Sequence, residues 1–293
     1  MGSAMVGRLL ERGCDVAIYN RTRAKAEPFR DHGAQIVDAP ADLADREIVF
    51  TSVSRSDDFL DVVVGPNGLL SRGDRGPAIV IDTSTVSMDV TAEVRLRAVP
   101  FGTALLAAPV SGNPKVVRAG RLTIAASGPE RAFETALPYL QVLAPGVTYV
   151  GEGERARLVK ICHNLLLDVF TQVLAETTVL AERGGIARAD YLAFINNSVM
   201  GSTFSRYKTP AFVNLDFTPT MTGQLMRKDL ELGLDVGRQL NVPLPVTALT
   251  HQIVVSLIGQ GLGDVDFGAL LELEARNAGF ELVPDDQKVA DGL

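Results

Sequence analysis

Short apolar runs alternate with helical patterns over the first half of the chain, and this alternation constrains the fold more than any other feature. The apolar runs are residues 16–19, 48–53, 79–81, 105–107, 122–125 and 147–150. Strand-like runs separated by helical segments are typical of a parallel sheet that is covered by helices on both faces. The sequence therefore predicts an α/β fold with a doubly wound parallel sheet.

The pattern changes after Gly153, where only long helical periodicities remain. They cover residues 156–183, 189–197, 224–239, 247–259 and 267–277. A chain of 293 residues is long enough for two domains that each bury a core. We expect a nucleotide-binding domain over residues 1–152, a joint at Gly151 and Gly153, and an all-helical domain over residues 153–293.

Composition argues against several classes of partner. A net charge of -7 offers no basic surface for nucleic acid or anionic lipid. The longest apolar region, residues 158–180, contains three charged residues, so we expect no membrane span. The chain has only two cysteines, Cys14 and Cys162, so we expect no disulfide framework and a reducing cytoplasm. Because they show no CxxC spacing and only three histidines occur, we expect no metal site.

The chain opens in what looks like the end of a dinucleotide-binding glycine loop. Met1 and Gly2 would supply its last glycine, followed by a helix over residues 6–12. The usual first strand of such a fold, which lies in the middle of the sheet, has no counterpart before Met1. We therefore expect the working protein to need about ten residues upstream, roughly the length of a strand and its turn.

The next predicted strand ends at Asn20, Arg21 and Thr22, where a dinucleotide fold usually has an acidic residue for the ribose hydroxyls. A neutral amide and a guanidinium suit a 2′-phosphate instead. This favours NADP, with NAD possible. The alternative is a solvated turn with an incidental arginine.

Lys160 and Asn164 are the candidate catalytic residues. They are four residues apart in a predicted helix and so share a face. A lysine can exchange a proton with the oxygen at which a hydride transfer takes place, and the amide can hold the same oxygen. Because Ile161, Leu165 and Leu166 flank them, we expect Lys160 to face a cleft rather than solvent.

Other candidates carry simpler alternatives. Ser111 and the amides near Gly112 suit a substrate carboxylate, but could form only a turn. Thr85 could bind substrate or nicotinamide, or merely cap a helix. Lys228 could reach the cofactor or pair with acidic neighbours, and His163 is expected to bond locally.

Six motifs in consistent order resemble the β-hydroxyacid dehydrogenase family. They are Met1–Gly2, residues 19–22, residues 82–86 (DTSTV), residues 108–112 (APVSG) with 120–122 (GRL), residues 151–164 and residues 228–230 (KDL). The resemblance implies a Rossmann-type domain followed by a helical domain. It also implies cofactor contacts from Met1, Gly2, Asn20, Arg21, Thr22, Val53, Ser54, Thr85 and Lys228.

The resemblance further implies a small carboxylate substrate and a homodimer or homotetramer. Apolar residues 247–258 and 267–273 could form the subunit contact. Two positions depart from the family pattern: Ala108 replaces an aspartate and Asn113 replaces a glycine. We expect these changes to alter the group that the substrate loop accepts.

The predicted activity is NAD(P)-dependent interconversion of a small 3-hydroxy or 2-hydroxy carboxylate and its semialdehyde or keto acid. One alternative is an imine reductase on the same scaffold, although Lys160 stands where such enzymes often have aspartate or tyrosine. Another is a non-catalytic binding or assembly relative. Decarboxylation, as in 6-phosphogluconate dehydrogenase, is disfavoured because Leu167 occupies the position of that enzyme's acid.

Overall fold

The computed structural model describes residues 1–73, 75–285, 287–290 and 292. It separates the chain into two units, Met1–Lys160 and Ile161–Leu293. The sequence-based boundary at residues 152 and 153 lies a few residues earlier, because the first turns of the next helix belong to the first unit.

The first unit alternates strands and helices, as the apolar runs predict. Its elements are α1 (Gly2–Glu11), β1 (Ala17–Ile18), β2 (Gln35–Ile36), β3 (Ile48–Thr51), α2 (Ser56–Val64), β4 (Ile79–Asp82), α3 (Met88–Ala98), β5 (Ala104–Ala107), β6 (Val110–Ser111), α4 (Pro114–Arg118), β7 (Thr123–Ala126), α5 (Glu130–Leu143) and β8 (Gly146–Tyr149). Short 3₁₀ turns connect several of them. The first helix begins at Gly2, four residues before the position that the sequence predicted.

The strands form three hydrogen-bonded sheets. β1 pairs with β2 in parallel, and β3, β4 and β5 form a parallel sheet with β4 in the centre. All four residues of β4 are buried, as is usual for a parallel strand that is covered on both faces. The parallel α/β class is therefore confirmed, but the strands do not form one continuous sheet.

The third sheet departs from the all-parallel expectation. β8 is parallel to β7, but β6 is antiparallel to β7. Residues 112–122 alone connect β6 and β7, and a parallel crossover needs a dozen or more residues. The short return through α4 therefore produces an antiparallel pair.

The second unit is helical, as predicted. α6 (Arg155–Arg183) begins in the first unit and continues into the second, where it is followed by α7 (Arg188–Asn197), α8 (Thr203–Asn214), α9 (Gly223–Gln239), α10 (Pro245–Leu257) and α11 (Leu270–Asn277). The helix α8, which contains Pro210, was not predicted from the apolar pattern. Its start is nevertheless marked by a capping box between Ser202 and Ser205.

One of the two apolar segments suggested for subunit contact is unsuitable. Within residues 267–273, Phe267 is 1% exposed, and Leu270, Leu271 and Leu273 are fully buried in the core of the second unit. In α10, by contrast, Leu249 is 64% exposed. Of the two segments, α10 is therefore the one that exposes large apolar side chains.

α6 is long and apolar enough to cross a membrane by length and composition alone, and 44% of its most apolar stretch is buried. Core helices of soluble proteins meet the same criteria. The expectation of no membrane span therefore stays a prediction.

Lys208 and Asp266 form a buried ion pair in the second unit. Lys208 Nζ lies 2.6 Å from Asp266 Oδ1 and 4.1 Å from the centre of the Phe267 ring. Asp266 also accepts hydrogen bonds from Thr220 N and Oγ1 and from Gly268 N. The pair thereby joins α8 to the segment that precedes α11, and through Thr220 to the segment that precedes α9.

We expect Lys208→Met to lower the free energy of unfolding by about 3–5 kcal/mol, because it leaves a buried carboxylate without its cation. Urea denaturation at pH 7 measures this loss. Lys288→Met, at an exposed lysine of the same unit, is the control and should change little. Equal unfolding curves for the two variants would contradict the assignment.

Acid should weaken the same contact. Burial would raise the pKa of Asp266, but the Lys208 ammonium and the Thr220 hydrogen bonds outweigh burial and hold it below its ordinary value of 3.8. A lowered carboxyl pKa adds stability that is present above the unfolded pKa and is lost as pH falls through the folded pKa. We therefore measure the urea midpoint of unfolding as the pH is lowered from 5. The midpoint should fall less steeply with pH for Asp266→Asn than for the parent chain. An equal dependence of the midpoint on pH in both chains would contradict the lowered pKa of Asp266.

Candidate functional site

The carboxyl ends of β3 and β4 are joined by buried side chains. Thr51 Oγ1 donates to Asp82 Oδ1 at 2.5 Å, and Ser84 Oγ donates to the same oxygen at 2.7 Å. Ser84 Oγ also accepts from Val53 N at 2.9 Å. This edge of a parallel sheet is where open α/β folds bind ligands. The structure thus brings Val53 and its exposed neighbour Ser54 next to the loop that carries half-buried Thr85.

Arg157, in the first turn of α6, is anchored on the same loop. Its guanidinium pairs with Asp82 Oδ2, donates to Ser84 O and lies 3.2 Å from Thr91 Oγ1. The side chains of Arg157 and Asp82 are 1% and 0% exposed. Because Lys160 follows Arg157 by three residues, its helical turn is fixed to the Thr85 loop.

The glycine joint before α6 is also held by side chains of the first unit. Gly151 and Gly153 have positive φ angles of 97° and 68°, a region that favours glycine. Gly153 O accepts from Arg95 Nη2 at 3.1 Å and from Ser127 Oγ at 2.8 Å. Arg95 Nε also pairs with Glu154 Oε1 at 2.8 Å. The joint is therefore a fixed turn of the first unit.

The predicted substrate loop contains a half-buried Ser111 at the end of β6 and an exposed Gly112. Gly112 has φ 136°, and a Cβ there would meet Val116 Cγ1 at 2.8 Å, so only glycine fits. The Asn113 side chain accepts from the backbone amides of Lys115 and Val116 at 2.9 and 3.1 Å. Asn113 therefore caps α4, and the fully buried Ala108 belongs to the core.

Asn164 lies one turn after Lys160 on α6, so the two side chains share a helix face, as predicted. Asn164 is 3% exposed and its Nδ2 donates to Asp229 Oδ2 at 2.6 Å. Its Oδ1 lies 3.0 Å from His163 Nδ1. Lys228 Nζ lies 3.2 Å from Asp229 Oδ1, the acidic pairing that the sequence left open.

The turn after β1 exposes the predicted cofactor residues. Asn20 Oδ1 accepts from Thr22 N at 3.0 Å, which fixes the turn. Arg21 is 84% exposed at its side chain and lies 3.2 Å from Asp58 Oδ1 of α2. Met1 precedes α1, and Gly2 is its first residue. A Cβ on Gly2 would lie 3.9 Å from Ser52, so the start of α1 approaches the segment after β3.

Sequence reasoning missed the two anchors of this site, Arg157 and Asp229. Arg157 gave no distinguishing signal, because Arg155 and Lys160 are also charged in the first turns of α6, and Asp229 was visible only within the KDL motif. Over residues 1–73, 75–285, 287–290 and 292, no group of three or more His, Cys, Asp or Glu side chains could hold a metal ion.

Two family models match the chain. The model described as the NAD binding domain of 6-phosphogluconate dehydrogenase matches residues 1–151. The model described as NAD-binding of NADP-dependent 3-hydroxyisobutyrate dehydrogenase matches residues 154–273. One model matches within the first unit, and the other matches most of the second.

Curated relatives match over nearly the whole chain. A 2-(hydroxymethyl)glutarate dehydrogenase of Eubacterium barkeri is 32% identical over 96% of this chain and 94% of its own. Glyoxylate/succinic semialdehyde reductase 1 of Arabidopsis thaliana is 28% identical over 93% of this chain and 94% of the reductase. The fold of a 3-hydroxyisobutyrate dehydrogenase from Salmonella typhimurium is similar, with a TM-score of 0.83 at 23% identity over 92% of this chain and 95% of that one.

We expect Arg157→Met to lower the free energy of unfolding by about 3–5 kcal/mol, because Asp82 would remain buried without its partner. Arg155→Met, at an exposed arginine of the same helical turn, is the matched control and should change stability by less than about 0.5 kcal/mol. Chemical denaturation measures the free energy of unfolding of both variants. An equal loss in both would contradict a larger cost for breaking the buried pair of Arg157 and Asp82.

Proposed function

Because the chain belongs to the β-hydroxyacid dehydrogenase family, we propose that it catalyses NAD(P)-dependent hydride transfer between a small 3-hydroxy or 2-hydroxy carboxylate and its semialdehyde or keto acid. This function is supported chiefly by the start of α6. Lys160 and Asn164 share a helix face there, and Arg157 fixes the turn of Lys160 to the Thr85 loop. A proton donor and an amide are thereby available to one oxygen.

The chain's residues fit a dinucleotide with a 2′-phosphate. Arg21 is an exposed guanidinium at the end of β1, held beside Asn20 and Thr22, and no acidic residue occupies residues 19–22. We assign NADP as the preferred cofactor on this chemistry. The Met1 amino group and the Gly2 amide would face the pyrophosphate.

The other predicted cofactor contacts lie at the carboxyl ends of strands or on α9. Val53 and Ser54 would line the cofactor after β3, and Thr85 would meet the nicotinamide side after β4. Lys228 would contribute from α9 while paired with Asp229. The bound cofactor supplies or accepts the hydride.

Lys160 is proposed as the general acid and base. It donates a proton to the carbonyl oxygen during reduction and takes one from the hydroxyl during oxidation. Asn164 donates an N–H to the same oxygen, which gains negative charge as the hydride arrives. Ser111 and the backbone amides near Gly112 bind the carboxylate, because hydroxyl and amide donors stabilise an anion.

The proposed setting is a reducing cytoplasm, with a homodimer or homotetramer formed through the helical unit. Cys14 and Cys162 are free thiols, which agrees with that compartment. The exposed apolar side chains of α10 offer a surface for the subunit contact.

A panel of small semialdehydes, 2-keto acids and one cyclic imine, assayed with NADPH, tests the reaction. We expect turnover of a carbonyl acid, and a loss of roughly 10²–10⁴-fold in kcat for Lys160→Ala. Lys25→Ala, at an exposed lysine, is the control and should retain activity. Preferred turnover of the imine would favour imine reduction, and no turnover of any compound would favour a binding or assembly role.

Cofactor preference has a separate test. We expect Arg21→Ala to raise KM for NADPH by about tenfold or more, since a charge-assisted hydrogen bond contributes about 1.5–3 kcal/mol. KM for NADH should change little. Arg30→Ala, at an exposed arginine paired with Glu27, is the control. Equal effects on both cofactors would exclude a 2′-phosphate contact by Arg21.

A further inference from the structure

The two ends of the Asn164 amide face chemically different partners. Asn164 Nδ2 is 2.6 Å from the carboxylate of Asp229, and Asn164 Oδ1 is 3.0 Å from Nδ1 of His163. Asn164 is 3% exposed and Asp229 6% exposed, so water does not compete freely for these contacts. The orientation of the amide is therefore determined by its neighbours.

Asp229 can stabilise only one of the two orientations. An ionised carboxylate has acceptors and no donors, so it pairs with the NH₂ end of an amide and repels the carbonyl end. Lys228 Nζ lies 3.2 Å from the other oxygen of the carboxylate and balances its charge. His163 favours the same orientation when its Nδ1 carries the proton and donates to Asn164 Oδ1.

The orientation matters for the reaction because the reacting oxygen becomes more negative as the hydride arrives. Such an oxygen is stabilised by N–H donors that are already in place. The Asn164 amide carries two N–H bonds, of which one goes to Asp229. A flipped amide would instead present the lone pairs of Oδ1 to the developing charge.

We propose that Asp229 is a positioning residue for the reduction: it holds the Asn164 amide so that the second N–H of Nδ2 serves the reacting oxygen. This inference rests on the proposed function, in which Asn164 contacts that oxygen. Asp229 acts through Asn164 and needs no contact of its own with substrate. A simple structural tie between α6 and α9 would give the same hydrogen bond without this consequence for turnover.

A double-mutant cycle on the full chain distinguishes the two roles. We expect Asn164→Ala to lower kcat by roughly 100-fold, the effect of losing one donor to a developing oxyanion. Asp229→Asn keeps the volume but can pair with either end of the Asn164 amide, so we expect about a tenfold loss. In the Asn164→Ala background the Asp229 substitution should cause no further loss.

An exchange variant keeps the test independent of folding. N164D/D229N restores an amide–carboxylate hydrogen bond between α6 and α9 but places a carboxylate towards the reacting oxygen. We expect its Tm to be close to that of the parent chain and its kcat to be at least as low as that of Asn164→Ala. Asp235→Asn, at an exposed aspartate of α9 paired with Arg238, is the control and should leave kcat unchanged.

The outcomes separate this inference from the function on which it rests. Suppose that Asn164→Ala lowers kcat and that Asp229→Asn lowers it by about a further tenfold in the Asn164→Ala background. The proposed function then stands, and the positioning role of Asp229 is overturned. Recovery of activity by the exchange variant would also overturn the positioning role, because Asp229 would then only hold α6 and α9 together. An unchanged kcat in Asn164→Ala would remove both the contact of Asn164 with substrate and the positioning role.

Discussion

The buried ion pair between Arg157 and Asp82 determines where the proposed chemistry can occur. Asp82 ends the central strand of the main sheet, and Arg157 lies in the first turn of α6. Burying two charges costs several kcal/mol per ion, which the attraction and added hydrogen bonds offset only in good geometry. The guanidinium meets that condition by also bonding to Ser84 O and Thr91 Oγ1. The pair therefore contributes position rather than net stability: it fixes the first turn of α6, three residues before Lys160, to the loop that carries Thr85.

Each proposed catalytic residue is supported by the unit to which it belongs. Lys160 is the last residue of the first unit and follows an anchor on β4, while Asn164 belongs to the second unit and is held by Asp229 of α9. The unbroken helix between them fixes their separation at four residues, a rise of about 6 Å. One helix thus carries the proposed proton donor and the proposed amide, and each is supported by contacts within its own unit. Variants in either anchor should therefore change the site without altering the other anchor.

Periodic apolar patterns predicted most of the elements because burial imposes them locally. The strands β3, β4 and β5 and the helices α6, α7 and α9 all fall where the apolar spacing places them. Two-residue β2 and β6 were missed because their pairing depends on distant partners rather than on local pattern. The helix α8 was missed because Pro210 interrupts its pattern, and its formation depends on burial of Phe212 and Val213. The apolar pattern also could not predict the contacts of Arg157 and Asp229. Arg157 pairs with Asp82 across 75 residues of sequence, and Asn164 donates to Asp229 across 65.

The two residues that depart from the family pattern, Ala108 and Asn113, each have a structural role within the first unit. Ala108 is fully buried, so its methyl group contributes to packing of the core. The Asn113 side chain is engaged by the first amides of α4, and its backbone φ of -113° needs no glycine. The proposed anion contacts are the Ser111 hydroxyl and the turn at Gly112, whose glycine is required by its φ and by the proximity of Val116. In the proposed function the carboxylate would therefore be bound by Ser111 and the amides near Gly112, and the expectation that Ala108 and Asn113 alter the accepted group stays a prediction.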